Sequence, residues 1–216
     1  MALVPYSESI VPALAKLHHT AATFQFAGQE VRLTQDWAGS GVAAVVWDAA
    51  VVLCLYLEMG QVEVSGRQVL ELGAGTGLVG IVAALLGAQV TLTDRAPALA
   101  LLSANAAANV AADRAVTVSE LTWGEGLERF PAGGYSVVLG ADIVYLEDTF
   151  PALLRTLHHL CSGTTLVLLA CRIRYDRDSR FLEALREGFS VEEVHYDPQR
   201  DVHVYRALKH SARTEL

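Results

Sequence analysis

Disulfide and metal chemistry have little to work with in this sequence. Its 216 residues include three cysteines, Cys54, Cys161 and Cys171. They cannot all pair, and they show no CxxC or Cys/His ligand spacing. That excludes a disulfide scaffold, fits a reducing compartment and argues against a zinc site. Charge is sparse too, at 19% of residues, and the positive kind is scarcer: 16 Lys and Arg against 24 Asp and Glu leave a net charge of −8. No face basic enough for tight non-specific binding to nucleic acid or an anionic membrane is expected. The longest apolar stretch, Val42 to Leu57, is broken by Asp48 and falls short of the roughly 20 residues of a membrane span. Met1 to Ser9 carries Pro5, Ser7 and Glu8 where a signal peptide would be basic and then apolar. The expectation is a cytoplasmic protein, with entry into the nucleus left open.

Apolar residues are abundant, at 52%, enough for a large core. No repeat and no Pro/Ser-rich linker divides the chain, so one domain is expected. It comprises an extension over residues 1–60, a core over 61–208 and a frayed tail over 209–216. Alternation in Thr23-Phe24-Gln25-Phe26 and Val31-Arg32-Leu33-Thr34, split by Ala27-Gly28-Gln29-Glu30, predicts a β-hairpin. Val45 to Met59 has helical length and stops at Gly60. Strands are then expected at 68–72, 89–93, 116–119, 135–139 and 165–170. Helices are expected at 78–86, from Pro97 to 109, at 149–160 and at 179–188. This alternation implies βαβ units and a mostly parallel sheet with helices on both faces. The last two strands, 190–196 and 202–207, lie five residues apart, too close for a crossover, and so must pair antiparallel. The fold class is α/β: a Rossmann-like seven-stranded sheet closing on an antiparallel hairpin. Ligands of such sheets bind at the carboxyl ends of the strands.

Glu71-Leu72-Gly73-Ala74-Gly75-Thr76-Gly77 follows the first parallel strand and opens a helix. Glycines permit a tight turn and close approach of a ligand to backbone, and the helix start offers free N–H groups. Asp94 lies 17 residues past Gly77, at the end of the next strand, where a carboxylate can accept both ribose hydroxyls of a nucleoside. Gly75-Thr76-Gly77-Leu78-Val79-Gly80 fits the dinucleotide fingerprint G-x-G-x-x-G, but Gly80 then falls inside the helix. The register Glu-x-Gly-x-Gly-x-Gly from Glu71 is similar to that of class I methyltransferases, which bind S-adenosylmethionine. An acid at Glu71 suits the cationic end of that cofactor and repels a pyrophosphate. A turn without a ligand is the third reading.

Asp142 and Tyr145 follow the fourth strand in Gly140-Ala141-Asp142-Ile143-Val144-Tyr145. If the acceptor is a lysine, Asp142 can aim its nitrogen at the methyl group, although a lone carboxylate also raises the lysine pKa. Tyr145 can wall the lysine channel or make a cation–π contact. Asp142-x-x-Tyr145 resembles the D-x-x-Y signature of the seven-β-strand protein lysine methyltransferases known as family 16. The blocks Met1 to Tyr6, Gly41 to Ala50, Glu71 to Leu86 and Cys171 to Tyr175 resemble the branch that modifies Hsp70 chaperones. The resemblance covers essentially the whole chain. It implies a monomer that takes methyl groups from S-adenosylmethionine, releases S-adenosylhomocysteine and acts on an Hsp70-family chaperone. It also implies a cofactor site lined by Trp47, Gly73, Ala74, Gly75, Asp94, Trp123 and Ala141. A small-molecule methyltransferase and a non-catalytic nucleoside-binding regulator are the competing classes.

Plain packing offers its own account of these residues. Trp47 reads as a core residue of an apolar helix, and Asp142 as an N-cap beside a half-buried Tyr145. The alanine-rich stretch 96–112 reads as a surface helix. His18-His19 and His158-His159 diverge, while His195 and His203 can face each other across the last hairpin; none suggests a metal site. Arg172, Arg174 and Arg177, after the fifth strand, read either as a solvated loop or as contacts to an acidic patch of a protein substrate.

Overall fold

The computed structural model describes residues 19–210. The block Met1 to Tyr6, His18 and the end of the expected tail lie outside the described residues.

Strands β1 (Ala21–Phe26) and β2 (Gln29–Thr34) form the expected hairpin. Its two-residue loop, Ala27-Gly28, has φ of 52° and 70°, the mirror-image turn whose twist matches paired strands. A short helix α1 (Trp37–Ser40) and a 3₁₀ turn (Gly41–Ala44) follow; the sequence reading had neither. Helix α2 spans Asp48–Glu58 and begins three residues later than expected. The cause is local. The Val46 N–H donates to the side chain of Gln35 at 2.9 Å, and Trp47 is extended. Trp47 therefore stands at the mouth of the helix, outside its apolar body.

From there strand and helix alternate: β3 (Gln68–Leu72), α3 (Leu78–Leu85), β4 (Gln89–Asp94), α4 (Leu99–Asn109) and β5 (Val116–Glu120). Next come β6 (Val137–Ala141), α5 (Phe150–Leu160), β7 (Leu166–Cys171), α6 (Asp176–Gly188), β8 (Phe189–Asp197) and β9 (Val202–Lys209). β6 ends two residues beyond expectation because Ala141 still pairs with Ala170 of β7. α6 starts three residues early because the Asp178 carboxylate accepts the N–H groups of Arg174 and Tyr175, at 2.9 and 3.1 Å, satisfying donors that a helix start leaves free. Lys209, expected in the tail, closes β9, and its Nζ donates to the carbonyls of His158 and Cys161.

The sheet runs β5-β4-β3-β6-β7-β9-β8, parallel from β5 to β7. β9 inserts between β7 and β8 and is antiparallel to both. Period two sorts the side chains. Val69, Val90, Leu139 and Leu168 face a cluster built with α2, α3 and the hairpin, while Leu70, Leu72, Val138 and Leu169 face one built with α5 and α6. Burial on both faces explains why these strands read as continuous apolar runs. α4 is less of a surface helix than its alanines suggest: Leu102, Asn105 and Ala106 are buried. Asn105 donates to the carbonyls of Thr34 and Thr76 and accepts from the Thr34 N–H. Asn109, one turn on, holds Arg32 in the same two-way manner. Two asparagines thus fasten hairpin, helix and glycine turn together.

A bulge between Glu193 and His195 sets Tyr196, not His195, opposite His203. The two histidines therefore do not pair. His203 stacks on Tyr196 at 4.5 Å and bonds Glu193, while His195 lies 5.9 Å from the Tyr56 ring. All three cysteines are buried and free. Among the described residues, no group of three or more His, Cys, Asp or Glu could hold a metal ion, and no helix is long and apolar enough to cross a membrane.

Candidate active site

A cavity of about 370 Å³ opens at the carboxyl ends of β3, β4 and β6, within the size range of small-molecule sites. Its floor is the turn after β3, where Gly73, Gly75 and Gly77 have φ of 60°, 55° and 89°, a region costly for residues with a Cβ. Space is as restrictive as conformation. A Cβ on Gly73 would lie 2.9 Å from Ile143, and one on Gly75 2.8 Å from the Ala43 carbonyl. The 3₁₀ turn before α2 thus closes over the glycine turn.

Glu71 sits under this floor. Period two points it at the α3 face, where its Oε2 accepts the Gly80 N–H at 2.8 Å. Gly77, at the start of α3, has no side chain to cap the helix, so Glu71 supplies the acceptor from a strand. Gly80 has a packing role: a Cβ there would stand 2.7 Å from the Glu71 carboxylate and closer still to Leu92. That accounts for the spurious fit to the dinucleotide fingerprint. Burial, only partly offset by the Gly80 hydrogen bond and reinforced by the charge of Asp94, pushes Glu71 up to about 8. At neutral pH the group is mainly protonated. Asp94, at the tip of β4, accepts the Gly75 N–H through Oδ2 at 2.8 Å and the Arg95 N–H through Oδ1 at 2.7 Å. Each oxygen keeps a lone pair for a further donor.

The opposite wall is the turn after β6. Asp142 has φ of 55°, a region unusual for a residue with a side chain. Its N–H donates to the Ala170 carbonyl, and no helix starts there, so the N-cap explanation fails. Gly140 makes the turn possible, since a Cβ would meet Ile143 at 2.5 Å. Burial raises the Asp142 pKa, against the lowering charges of Arg174 and Arg172.

All ten residues expected at the site line this one cavity: Asp142 and Tyr145 on one side, Glu71, Gly73, Ala74, Gly75 and Asp94 on the other, with Trp47, Trp123 and Ala141 between. The Trp47 Nε1 donates to the Val42 carbonyl at 2.9 Å, fixing its ring. Sequence reasoning missed Val42 and Ala43, which gave no signal in an apolar run, and placed no member of the arginine triplet within the site. The triplet splits three ways. Arg172 turns inward, donating to Asp48 at 2.6 Å and to the Arg200 carbonyl at 2.8 Å. Arg177 lies over the Tyr175 ring at 4.5 Å. Arg174 lines the cavity beside Asp142.

A family model described as lysine methyltransferase matches residues 25–188. The chain belongs to the lysine methyltransferase family. Protein N-lysine methyltransferase METTL21A of Danio rerio is 66% identical over 218 residues, covering 100% of both chains. EEF1A lysine methyltransferase 3 of Mus musculus is 44% identical, covering 93% of this chain and 89% of its own. Among solved structures, the 16S rRNA N2 G1207 methyltransferase of T. thermophilus superposes with a TM-score of 0.63 at 22% identity, covering 88% of this chain and 50% of that one. At that identity the likeness is one of fold. Of these two relatives one carries a protein substrate, EEF1A, in its name and the other carries none, while this chain is similar to both over most of its length.

Proposed function

We propose that this lysine methyltransferase takes its methyl groups from S-adenosylmethionine and transfers them to a lysine ε-amine of an Hsp70-family chaperone, acting as a monomer. The observation that carries the reading is the single cavity holding the glycine turn and Asp94 at one end and Asp142 at the other. Its residues suit the donor. The glycines leave room that a Cβ would fill, two tryptophans offer apolar walls, and Asp94 keeps acceptors for a ribose diol. Glu71, held mainly protonated by burial, can release its proton to answer a nearby cation. That donor supplies an electrophilic methyl group on a sulfonium. The loop after β3, Ala141 and the two tryptophans hold it, and Asp142 and Tyr145 direct the lysine.

The chemistry asked of the chain is modest. The lysine must lose one proton to solvent, then place its lone pair in line with the methyl carbon. Held by the glycine turn, Asp94 and the two tryptophans, the donor would supply the methyl group to that nitrogen in exchange for its bond to sulfur and would leave as S-adenosylhomocysteine. Orientation and exclusion of water supply the acceleration.

Radiolabelled methyl donor, incubated with recombinant Hsp70 chaperone, with EEF1A and with a cell lysate, tests the proposal. Label on a chaperone lysine is expected. Label on EEF1A alone replaces the substrate, and label confined to small molecules replaces the enzyme class. Donor binding without any transfer would indicate a nucleoside-binding regulator.

A further inference from the structure

Lysine transfer at this cavity contains an electrostatic conflict. A free lysine, with a pKa of about 10.4, is protonated at neutral pH, and a carboxylate beside it strengthens that hold. Attack needs the neutral amine, so Asp142 alone opposes the step it orients. The fold puts a cation against the same carboxylate. Arg174 lines the cavity with Nη2 3.9 Å from Oδ2 of Asp142, the two side chains being 40% and 12% exposed. Its backbone is held in place, because the buried carboxylate of Asp178 accepts its N–H at 2.9 Å.

We propose that Arg174 is a positioning residue for the transfer, balancing the charge of Asp142 so that the carboxylate aims the incoming nitrogen without trapping its proton. The inference rests on the lysine reading of the cavity given above. Other charged groups act on Asp142 as well: Arg172 on the same loop, Asp48 at the start of α2 and Asp178 on α6, while Cys171 at the end of β7 feels its charge. Arg172 is bound to Asp48 and to the Arg200 carbonyl, and Asp178 to backbone amides. Arg174 is the cation that stands beside Asp142 in the cavity lining. A guanidinium does not titrate in this range, so it is no proton acceptor; the lysine proton leaves to water.

Carboxyl-carbon NMR of the full chain, titrated with pH, follows Asp142 directly. Arg174→Gln is expected to raise its midpoint by about one pH unit, and Arg174→Lys to restore it. Arg180→Gln, which removes an equal charge from an exposed pair with Glu147, is expected to leave it in place. In transfer to recombinant Hsp70 chaperone, Arg174→Gln is expected to move the acid limb of kcat up by about one unit, with KM unchanged or lower. A midpoint indifferent to Arg174→Gln, or a kcat reduced equally at every pH, overturns the role. A shifted midpoint with no protein lysine labelled by wild type sinks the lysine reading, and the role with it. Labelled lysine with an unmoved pH profile sinks the role alone.

Discussion

Glu71 and Asp142 stand near the carboxyl ends of neighbouring parallel strands, yet the fold handles their carboxyl groups in opposite ways. Glu71 is 2% exposed, bonded to a helix amide and held mainly neutral by burial. Asp142 sits in a positive-φ turn with an arginine for company. Under the proposed reading the contrast separates two tasks. One end of the cavity holds a cofactor against fixed backbone. The other admits a nitrogen whose protonation changes, and for that a balanced charge serves better than a neutral acid.

The sharpest way to break the contrast is Asp142→Ala. Methyl transfer should fall by roughly a hundredfold or more as the acceptor loses its direction, while calorimetric titration with S-adenosylhomocysteine returns the wild-type affinity. Equal loss of both would show that the two ends are not separate. Asp94→Ala should do the reverse of that selective loss. Removing two charge-assisted hydrogen bonds of about 1.5 kcal/mol each weakens cofactor binding about a hundredfold, read in the same titration.

Glu71→Gln probes the buried acid through stability. Between its ordinary value of 4.5 and about 8, folded Glu71 keeps a proton that the unfolded chain gives up. Stability is therefore greatest below this window, declines as pH rises through it, and levels off above. The amide cannot titrate, so the wild-type melting temperature should fall by roughly 5 °C relative to the variant between about pH 5 and pH 8. Parallel curves would mean that Glu71 is ionised in the fold. The smallest effect is expected from Arg172→Gln, which loosens the tie between β7 and α2. It should cost about 1 kcal/mol in urea denaturation and leave the Asp142 midpoint much less changed than Arg174→Gln does.

Much of this was readable one segment at a time. The hairpin turn at Ala27-Gly28, the glycine turn after Gln68–Leu72 and the acid ending the next strand are local features, visible as spacing. The pattern failed where a long-range bond overrode a local preference. The helix read from Val45 starts at Asp48 because Gln35 claims the Val46 N–H. The helix read from Ser179 starts at Asp176 because the Asp178 carboxylate supplies its cap. His195 and His203 miss each other because one bulged residue shifts every later side chain to the other face.

Hydrophobic runs and glycine positions dictated the strands, the turn between β3 and α3 and the acids at the strand tips, since period and backbone freedom belong to consecutive residues. Only the assembled chain could settle that β9 slips between β7 and β8, that Glu71 caps α3 while Asp94 holds the Gly75 amide, and that Arg174 rather than Arg172 meets Asp142. Those outcomes turn on burial and on charges brought together from distant parts of the chain, and a carboxyl group's protonation depends on such neighbours, whatever its place in the sequence.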